Sequence, residues 1–226
     1  MNKNQVTAYV IIPVKNLDNA KSRLSSLLAE DERRHFCLKM LEDVLRAVKF
    51  TKHPHETIVF SKDPIVSKIA KSFDAGYIKE REMGLNKTVA EAVTWCVQRG
   101  AELLLVLPAD IPLVAPTDLN RILNLGKKAS MVISPSKNGK GTNALLLAPP
   151  NVTPTFYGPD SFQRHIKEAL KLKISFRRYW SPRIALDIDT VEDLKYFVSL
   201  KATETSAYKV LEEIGATVKL EKILMD

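Results

Sequence analysis

Asp110 occupies a position that calls for a partner. The stretch LPADIPL, Leu107 to Leu113, follows the apolar run ELLLV and sets one carboxylate between Pro108 and Pro112. If the run is a buried strand, a carboxylate at its end is partly out of water. An unpaired charge there is costly, so it needs a cation, a capping role or a hydrogen-bonded partner. The prolines restrict the backbone and fix the direction of the side chain. Capping of the next helix is the plain alternative, although Thr117 and Asp118 already stand near the start of that helix.

Asp187 and Asp189, in LDIDT, follow a second short apolar run. At i and i+2 of an extended segment their side chains share a face. Two like charges so placed repel, and a divalent ion relieves the repulsion. With Asp110 they form a hard-oxygen set suited to Mg²⁺, which binds through few carboxylates together with substrate phosphates. Spacing alone leaves a second reading open, in which Asp189 and Thr190 cap the last regular helix. That reading leaves Asp187 unexplained.

Anion-binding groups are also present. Lys15, Lys21 and Arg23 fall in PVKNLDNAKSRLS, a loop-to-helix segment directly after the first strand. Three cations near a helix start can hold a triphosphate, because Coulomb attraction adds to the free N–H groups there. Taken by itself the trio also fits a solvated helix surface. Gly141 and Thr142 precede a strand, and Gly158 and Ser161 sit at a helix start. Backbone N–H groups and a hydroxyl in such places suit a phosphate or carboxylate. An ordinary turn and an early-helix serine are the bland alternatives.

The elements that must carry these residues alternate in type. TAYVIIP, ETIVFS, AGYIK, AELLLVL, SMVIS, NALLLAP and RIALDI read as strands. Between them, helical periodicity marks residues 31–49, where Phe36, Met40 and Val44 recur every fourth position beside Cys37, Leu41 and Val48. Further helices are DPIVSKIAKSF, with an Asp63 cap, and NKTVAEAVTWCVQRG, with an Asn86 cap, a Val89–Val93–Val97 face and a Gly100 stop. PTDLNRILNLGKK, SFQRHIKEALKL and TVEDLKYFVSL, capped by Thr190, complete the set. This alternation predicts α/β architecture: three layers, α/β/α, around a mostly parallel mixed sheet, in one domain over residues 1–226. Residues 203–226 form a C-terminal extension with helical character, which either adds a helix and a short strand or mediates contacts. Ligands of such sheets bind beyond the carboxyl ends of the strands, where Lys15, Asp110 and Asp187 fall.

Composition narrows the class. The 226 residues are 45% hydrophobic and 27% charged, as in ordinary globular chains. No apolar run reaches the ~20 residues of a membrane span, and no cleavage site follows the short N-terminal apolar stretch, so a cytoplasmic protein is expected. Cys37 and Cys96 lie on apolar helix faces and read as inert buried thiols. The four histidines, His35, His53, His55 and His165, have no ligand spacing. A formal net charge of +8 favours acidic partners, from phosphorylated substrates to nucleic acid. No aromatic-studded basic strand or recognition helix supports nucleic acid.

Six motifs occur in order: PVKNLDNAKSRLS, GLNKTVAEAV, LPADIPL, GTNALLLAPP, YGPDSFQRHIKEA and LDIDTVEDL. Together they resemble the 2-phospho-L-lactate guanylyltransferase family, within the wider nucleotidyltransferases of Rossmann-like, nucleotide-diphospho-sugar transferase-like fold. The resemblance implies transfer of GMP from GTP to 2-phospho-L-lactate, phosphoenolpyruvate or 3-phosphoglycerate, with release of pyrophosphate, in coenzyme F420 synthesis. It implies Mg²⁺ on Asp110, Asp187 and Asp189, and the phosphorylated acid on Thr142, Gly158 and Ser161. Lys15, Lys21 and Arg23 face the triphosphate, while Gly84, Leu85, Asn86 and Pro108 serve the nucleotide; Lys21, Arg23 and Asp110 are the catalytic set. Molybdenum-cofactor guanylyltransferases carry a glycine-rich first loop, whereas this chain has no glycine before Gly76. Rival readings are another nucleotidyltransferase, of molybdenum-cofactor or cytidylyl type, and a basic nucleic-acid-binding protein. A homodimer is compatible with the sequence.

Overall fold

The computed structural model describes residues 8–225, apart from 16, 18, 19, 54, 82 and 83 and the side chains of 221–225. Thr7 of the first strand, Pro54 of the histidine loop, and Asn16, Asp18 and Asn19 of the basic segment therefore lie outside the described residues.

The sheet has seven strands: β1 (Ala8–Val14), β2 (Glu56–Ser61), β3 (Gly76–Lys79), β4 (Leu103–Val106), β5 (Met131–Pro135), β6 (Thr142–Leu147) and β7 (Phe176–Arg178). Their order is β3-β2-β1-β4-β6-β5-β7. All neighbours are parallel except β6, which runs antiparallel to β4 and β5. The predicted mixed, mostly parallel sheet is thus observed.

Alternation along the strands explains the layers. Val10, Ile12 and Val14 of β1 join one apolar cluster, and Tyr9 and Ile11 join the other. Leu105 of β4 and Leu146 of β6 face the first side, while Leu104 and Leu145 face the opposite one. The first side is covered by α1 (Glu30–Lys49), α2 (Pro64–Ser72), α4 (Pro116–Gly126) and α7 (Val191–Ser199). The second is covered by α3 (Leu85–Gln98) and α5 (Ser161–Lys171). A strand buried on both faces must be apolar at every position, which is why these segments read as continuous hydrophobic runs.

The order of the strands sets the site. From β1 the chain winds outward through β2 and β3, then returns to place β4 on the other side of β1. That reversal opens a crevice beyond the carboxyl ends of β1 and β4. Because β6 is antiparallel, its first residues, Thr142 and Asn143, reach the same edge.

Four readings are corrected. RIALDI is not a strand: Pro182 starts a helical turn, α6 (Pro182–Ala185), and residues 186–189 have no ladder. Ile184, Leu186 and Ile188 are buried by packing of an irregular segment, and burial without pairing looks like a strand in sequence. The seventh strand is instead β7, a three-residue edge element whose arginines are exposed and whose pattern is too short to read. Asn86 is not the cap of α3; Gly84 is, at φ 104°, and Asn86 lies inside the helix. Val89 is buried but Val97 is exposed, since a strict four-residue step drifts round the helix; Val89, Ala92 and Cys96 form the buried face. Among the described residues the extension holds no strand but two helices, α8 (Ser206–Glu213) and α9 (Ala216–Met225). The Asp43 carboxylate of α1 accepts the Ser206 and Ala207 N–H groups at 2.7 and 2.8 Å and so caps α8. Among the described residues no helix is long and apolar enough to cross a membrane.

Candidate functional site

At the switch point lies a cleft of about 490 Å³, within the usual size for small-ligand sites. Its walls bring together eleven of the candidate site residues singled out in sequence: Lys15, Lys21, Leu85, Pro108, Asp110, Gly141, Thr142, Gly158, Ser161, Asp187 and Asp189. Gly84 and Asn86 do not line it. Asn86 instead clasps the backbone of Tyr157, accepting from its N–H at 2.6 Å and donating to its carbonyl at 2.9 Å, which fixes Tyr157 in the wall. Arg23 also stands back from the cleft, exposed on a single 3₁₀ turn, Ser22–Leu24.

One wall is ionic. The Lys21 ammonium donates to Asp110 Oδ2 at 2.6 Å and to Asp189 Oδ1 at 2.5 Å. Its side chain is nearly buried, and its backbone is left-handed, at φ 53°. Burial works against the charge, but the two carboxylates outweigh it and hold the amine protonated. Asp189 is half exposed. Its burial acts upward on its pKa, yet Lys21, with Lys15 and Arg23 behind it, brings the net below the ordinary carboxylate value. The segment carrying it is pinned by a backbone bond from Ile188 N–H to the Asp110 carbonyl, 3.0 Å, so the two loops meet. Thr190 does cap α7, with Asp193 returning the contact, as sequence suggested. That capping employs Thr190, which leaves the Asp189 carboxylate free for Lys21.

Asp118 answers the capping alternative for Asp110. It accepts the Ala115 N–H at the start of α4 and takes both Arg183 donors, at 2.7 and 2.8 Å. Tyr179 adds a fourth contact at 2.8 Å. Asp110 is not needed there.

Asp187 has a different surrounding. Asn143 Nδ2 donates to its Oδ1 at 3.0 Å while also binding the carbonyl of Ile184 at 2.9 Å. Burial, aided by the charges of Asp110 and Asp189 and opposed by the Asn143 bond, pushes its pKa up to about 6. Among the described residues no three carboxylate, imidazole or thiolate groups close on one point as a ready metal cage. Two carboxylates nevertheless converge on one positive charge, and a third lies beside them, which is the donor set a hard divalent ion takes. These residues fit Mg²⁺.

Another part of the lining is neutral. Ser161 Oγ lies 3.0 Å from Thr142 Oγ1, and Gly158, at φ 112°, turns the chain into α5. Behind them, His165 is fully buried.

A family model described as "Guanylyl transferase CofC like" matches residues 8–224. The chain belongs to this family. Among its relatives, a 2-phospho-L-lactate guanylyltransferase of Methanocaldococcus vulcanius is 37% identical over 212 residues, covering 93% of this chain and 92% of that protein. A phosphoenolpyruvate guanylyltransferase of Rubrobacter xylanophilus is 37% identical over 190 residues, 84% of this chain and 92% of the relative. A solved structure from Desulfovibrio desulfuricans, assigned as a nucleotide-diphospho-sugar transferase, superposes with a TM-score of 0.79 at 16% identity, covering 95% and 97% of the two chains. The 4-diphosphocytidyl-2C-methyl-D-erythritol synthase of Anaerococcus prevotii gives 0.62 at 12% identity, covering 92% and 97%. At such identities the two structures bear on fold alone, and the fold is the nucleotidyltransferase one expected from the motifs.

Within this guanylyl transferase-like chain, sequence reasoning missed Asn143, Tyr157 and His165. Asn143 lay inside the quoted GTNALLL, and a buried amide at a strand start was a readable signal. His165 was passed over because its partners, at Phe156 and Thr142, are not at metal-ligand spacing.

Asp187 yields a pH prediction. In the metal-free protein its folded pKa, about 6, exceeds the ordinary 3.8. The folded state therefore binds more protons between these values, and this group's contribution to stability falls as pH rises through that window. Asp187→Asn is expected to raise the metal-free melting temperature by a few degrees at neutral pH, and the gain is expected to vanish near pH 4. Thermal scans across pH check it, and a gain independent of pH contradicts the assignment.

Proposed function

We propose that the chain transfers GMP from GTP to a small phosphorylated carboxylic acid. The observation that carries this reading is a single cleft with two unlike walls. Lys15, Lys21 and the three aspartates form one part of the lining, and the neutral Thr142–Gly158–Ser161 group forms another. The first suits a metal-bound triphosphate. The second suits a small anion held by hydroxyl and backbone donors.

A phosphate oxygen of the acid attacks the α-phosphorus of GTP. The new O–P bond forms as the bond to the β-phosphate oxygen breaks, and pyrophosphate leaves with that electron pair. The attacking oxygen is already anionic, so the reaction needs no general base. Lys15 and Lys21 lie where they meet triphosphate charge, and Arg23 adds to the field from outside the wall. Asp110, Asp187 and Asp189 would hold Mg²⁺, which when bound supplies positive charge between two anionic reactants. The product would feed coenzyme F420 synthesis.

Two relatives at the same identity carry names with different acids, so overall similarity does not single one out. The test is pyrophosphate release with Mg²⁺, each of the four nucleoside triphosphates, and each of 2-phospho-L-lactate, phosphoenolpyruvate and 3-phosphoglycerate. Release with GTP and one acid, and little with CTP, is expected. A preference for CTP, or no dependence on any acid, contradicts the proposal.

Ser161→Ala removes one hydroxyl from the neutral wall. It is expected to raise the KM for the acid roughly tenfold to a hundredfold, as for one lost hydrogen bond to a charged group, and to leave the KM for GTP nearly unchanged. Equal effects on both substrates would remove Ser161 from the acid site.

A further inference from the structure

We infer that His165 is a positioning residue, which leaves one hydroxyl proton of the Thr142–Ser161 pair free to point into the cleft. The inference rests on the reading that the acid binds there. His165 lies in α5 one turn after Ser161, fully buried behind the wall rather than in it.

The argument is a count of protons. The Phe156 backbone N–H points at His165 Nε2, 2.9 Å away, so Nε2 must offer a lone pair. A neutral ring then carries its proton on Nδ1. Burial pushes the ring's pKa down to about 4, which keeps it neutral at physiological pH.

Thr142 Oγ1 lies 3.3 Å from that same Nδ1. Since Nδ1 already carries a proton, it cannot accept one from Thr142; it donates to Thr142 Oγ1 instead and turns that hydroxyl's own proton away from the ring. Thr142 and Ser161 hold two hydroxyl protons between them, and their mutual bond at 3.0 Å uses one. Among the described residues no other acceptor takes the second. The cleft is the direction left to it, and an anion there gains a donor. With the opposite tautomer, Thr142 would donate to the ring and Ser161 to Thr142. The hydroxyl pair would then present only lone pairs, which repel a carboxylate or phosphate. The Phe156 N–H therefore decides, through the ring, whether this pair offers an anion a proton.

Two experiments test this. A two-bond ¹H–¹⁵N correlation spectrum of the ¹⁵N-labelled wild-type protein reads the tautomer without any variant. A buried ring protonated at Nδ1 is expected, and one protonated at Nε2 overturns the inference. The second experiment separates anchoring from polarity. His165→Asn keeps an N–H at the Nδ1 position but loses the acceptor for Phe156. His165→Gln keeps that acceptor but loses the Nδ1 donor. The acid's KM is expected to stay near wild type in His165→Asn and to rise about tenfold in His165→Gln, the scale of one hydrogen bond to a charged group. The KM for GTP is expected to stay unchanged in both. The reverse order means the ring only anchors Phe156, and overturns the inference. In the double variant Thr142→Val with His165→Gln, the acid's KM is expected to equal that of Thr142→Val alone; multiplied effects contradict action through Thr142. If Thr142→Val leaves the acid's KM unchanged while the spectrum shows the Nδ1 proton, the placement of the acid is what fails.

Discussion

Asp110→Asn is expected to cut guanylyl transfer about a thousandfold while leaving the fold intact, on the scale set by losing one preorganised charge contact in a transition state. The side chain is partly exposed and belongs to no apolar cluster, so its charge can be removed without opening a cavity. Its backbone carbonyl still accepts the Ile188 N–H, which holds the two acidic loops together. Lys21 keeps Asp189 as a partner and is not stranded. What disappears is one carboxylate oxygen from the set that would hold Mg²⁺. Pyrophosphate release at saturating GTP and acid, with circular dichroism and a melting curve beside it, checks the prediction. Turnover within tenfold of wild type in a folded variant sinks the metal assignment.

Much of this site was legible because its residues sit where regular elements end. The alternation of apolar runs and helical periodicities fixed the layers, and the carboxyl-end rule for such sheets then pointed to Lys15 and Asp110; Asp187 was reached through a strand, RIALDI, that does not form. What stayed hidden has local physical causes. The segment from Pro182 to Asp189 is buried yet unpaired, and sequence shows burial more clearly than pairing. The edge strand Phe176–Arg178 carries exposed arginines and too few residues for a period. Asn86 reads as a cap by its type, but its amide is engaged by Tyr157, 71 residues away, and such a contact leaves no trace in local spacing. His165 is the same case: its importance comes from an N–H nine residues back and a hydroxyl on another element. Resemblance to a family added the substrates, which no periodicity encodes.

Lys21 carries the second large effect, and its sign differs between two measurements. In this structure its ammonium sits on two of the carboxylates assigned to the metal. A divalent ion held by Asp110 and Asp189 would therefore compete with the ammonium, which would have a second use once a triphosphate is present. Lys21→Met keeps much of the side chain's length and volume but removes the charge. Without metal or nucleotide, three carboxylates then share the cleft with less compensation, and the melting temperature is expected to fall. Coulomb energy at ~4 Å is about 4 kcal/mol for an effective dielectric near 20, and solvent at the half-exposed Asp189 reduces it. A gain in Mg²⁺ affinity of about one to two orders of magnitude is the result expected from that remainder. Guanylyl transfer is expected to fall about a hundredfold all the same, because the leaving pyrophosphate loses a buried cation. Calorimetric titration of Mg²⁺ into the nucleotide-free variant, set beside its turnover, reads both quantities. Tighter metal binding with slower turnover is the predicted pair. Weaker metal binding in Lys21→Met would mean that the ammonium supports the acidic cluster without standing in the metal's place, and the site for the ion would have to be sought elsewhere in the cleft.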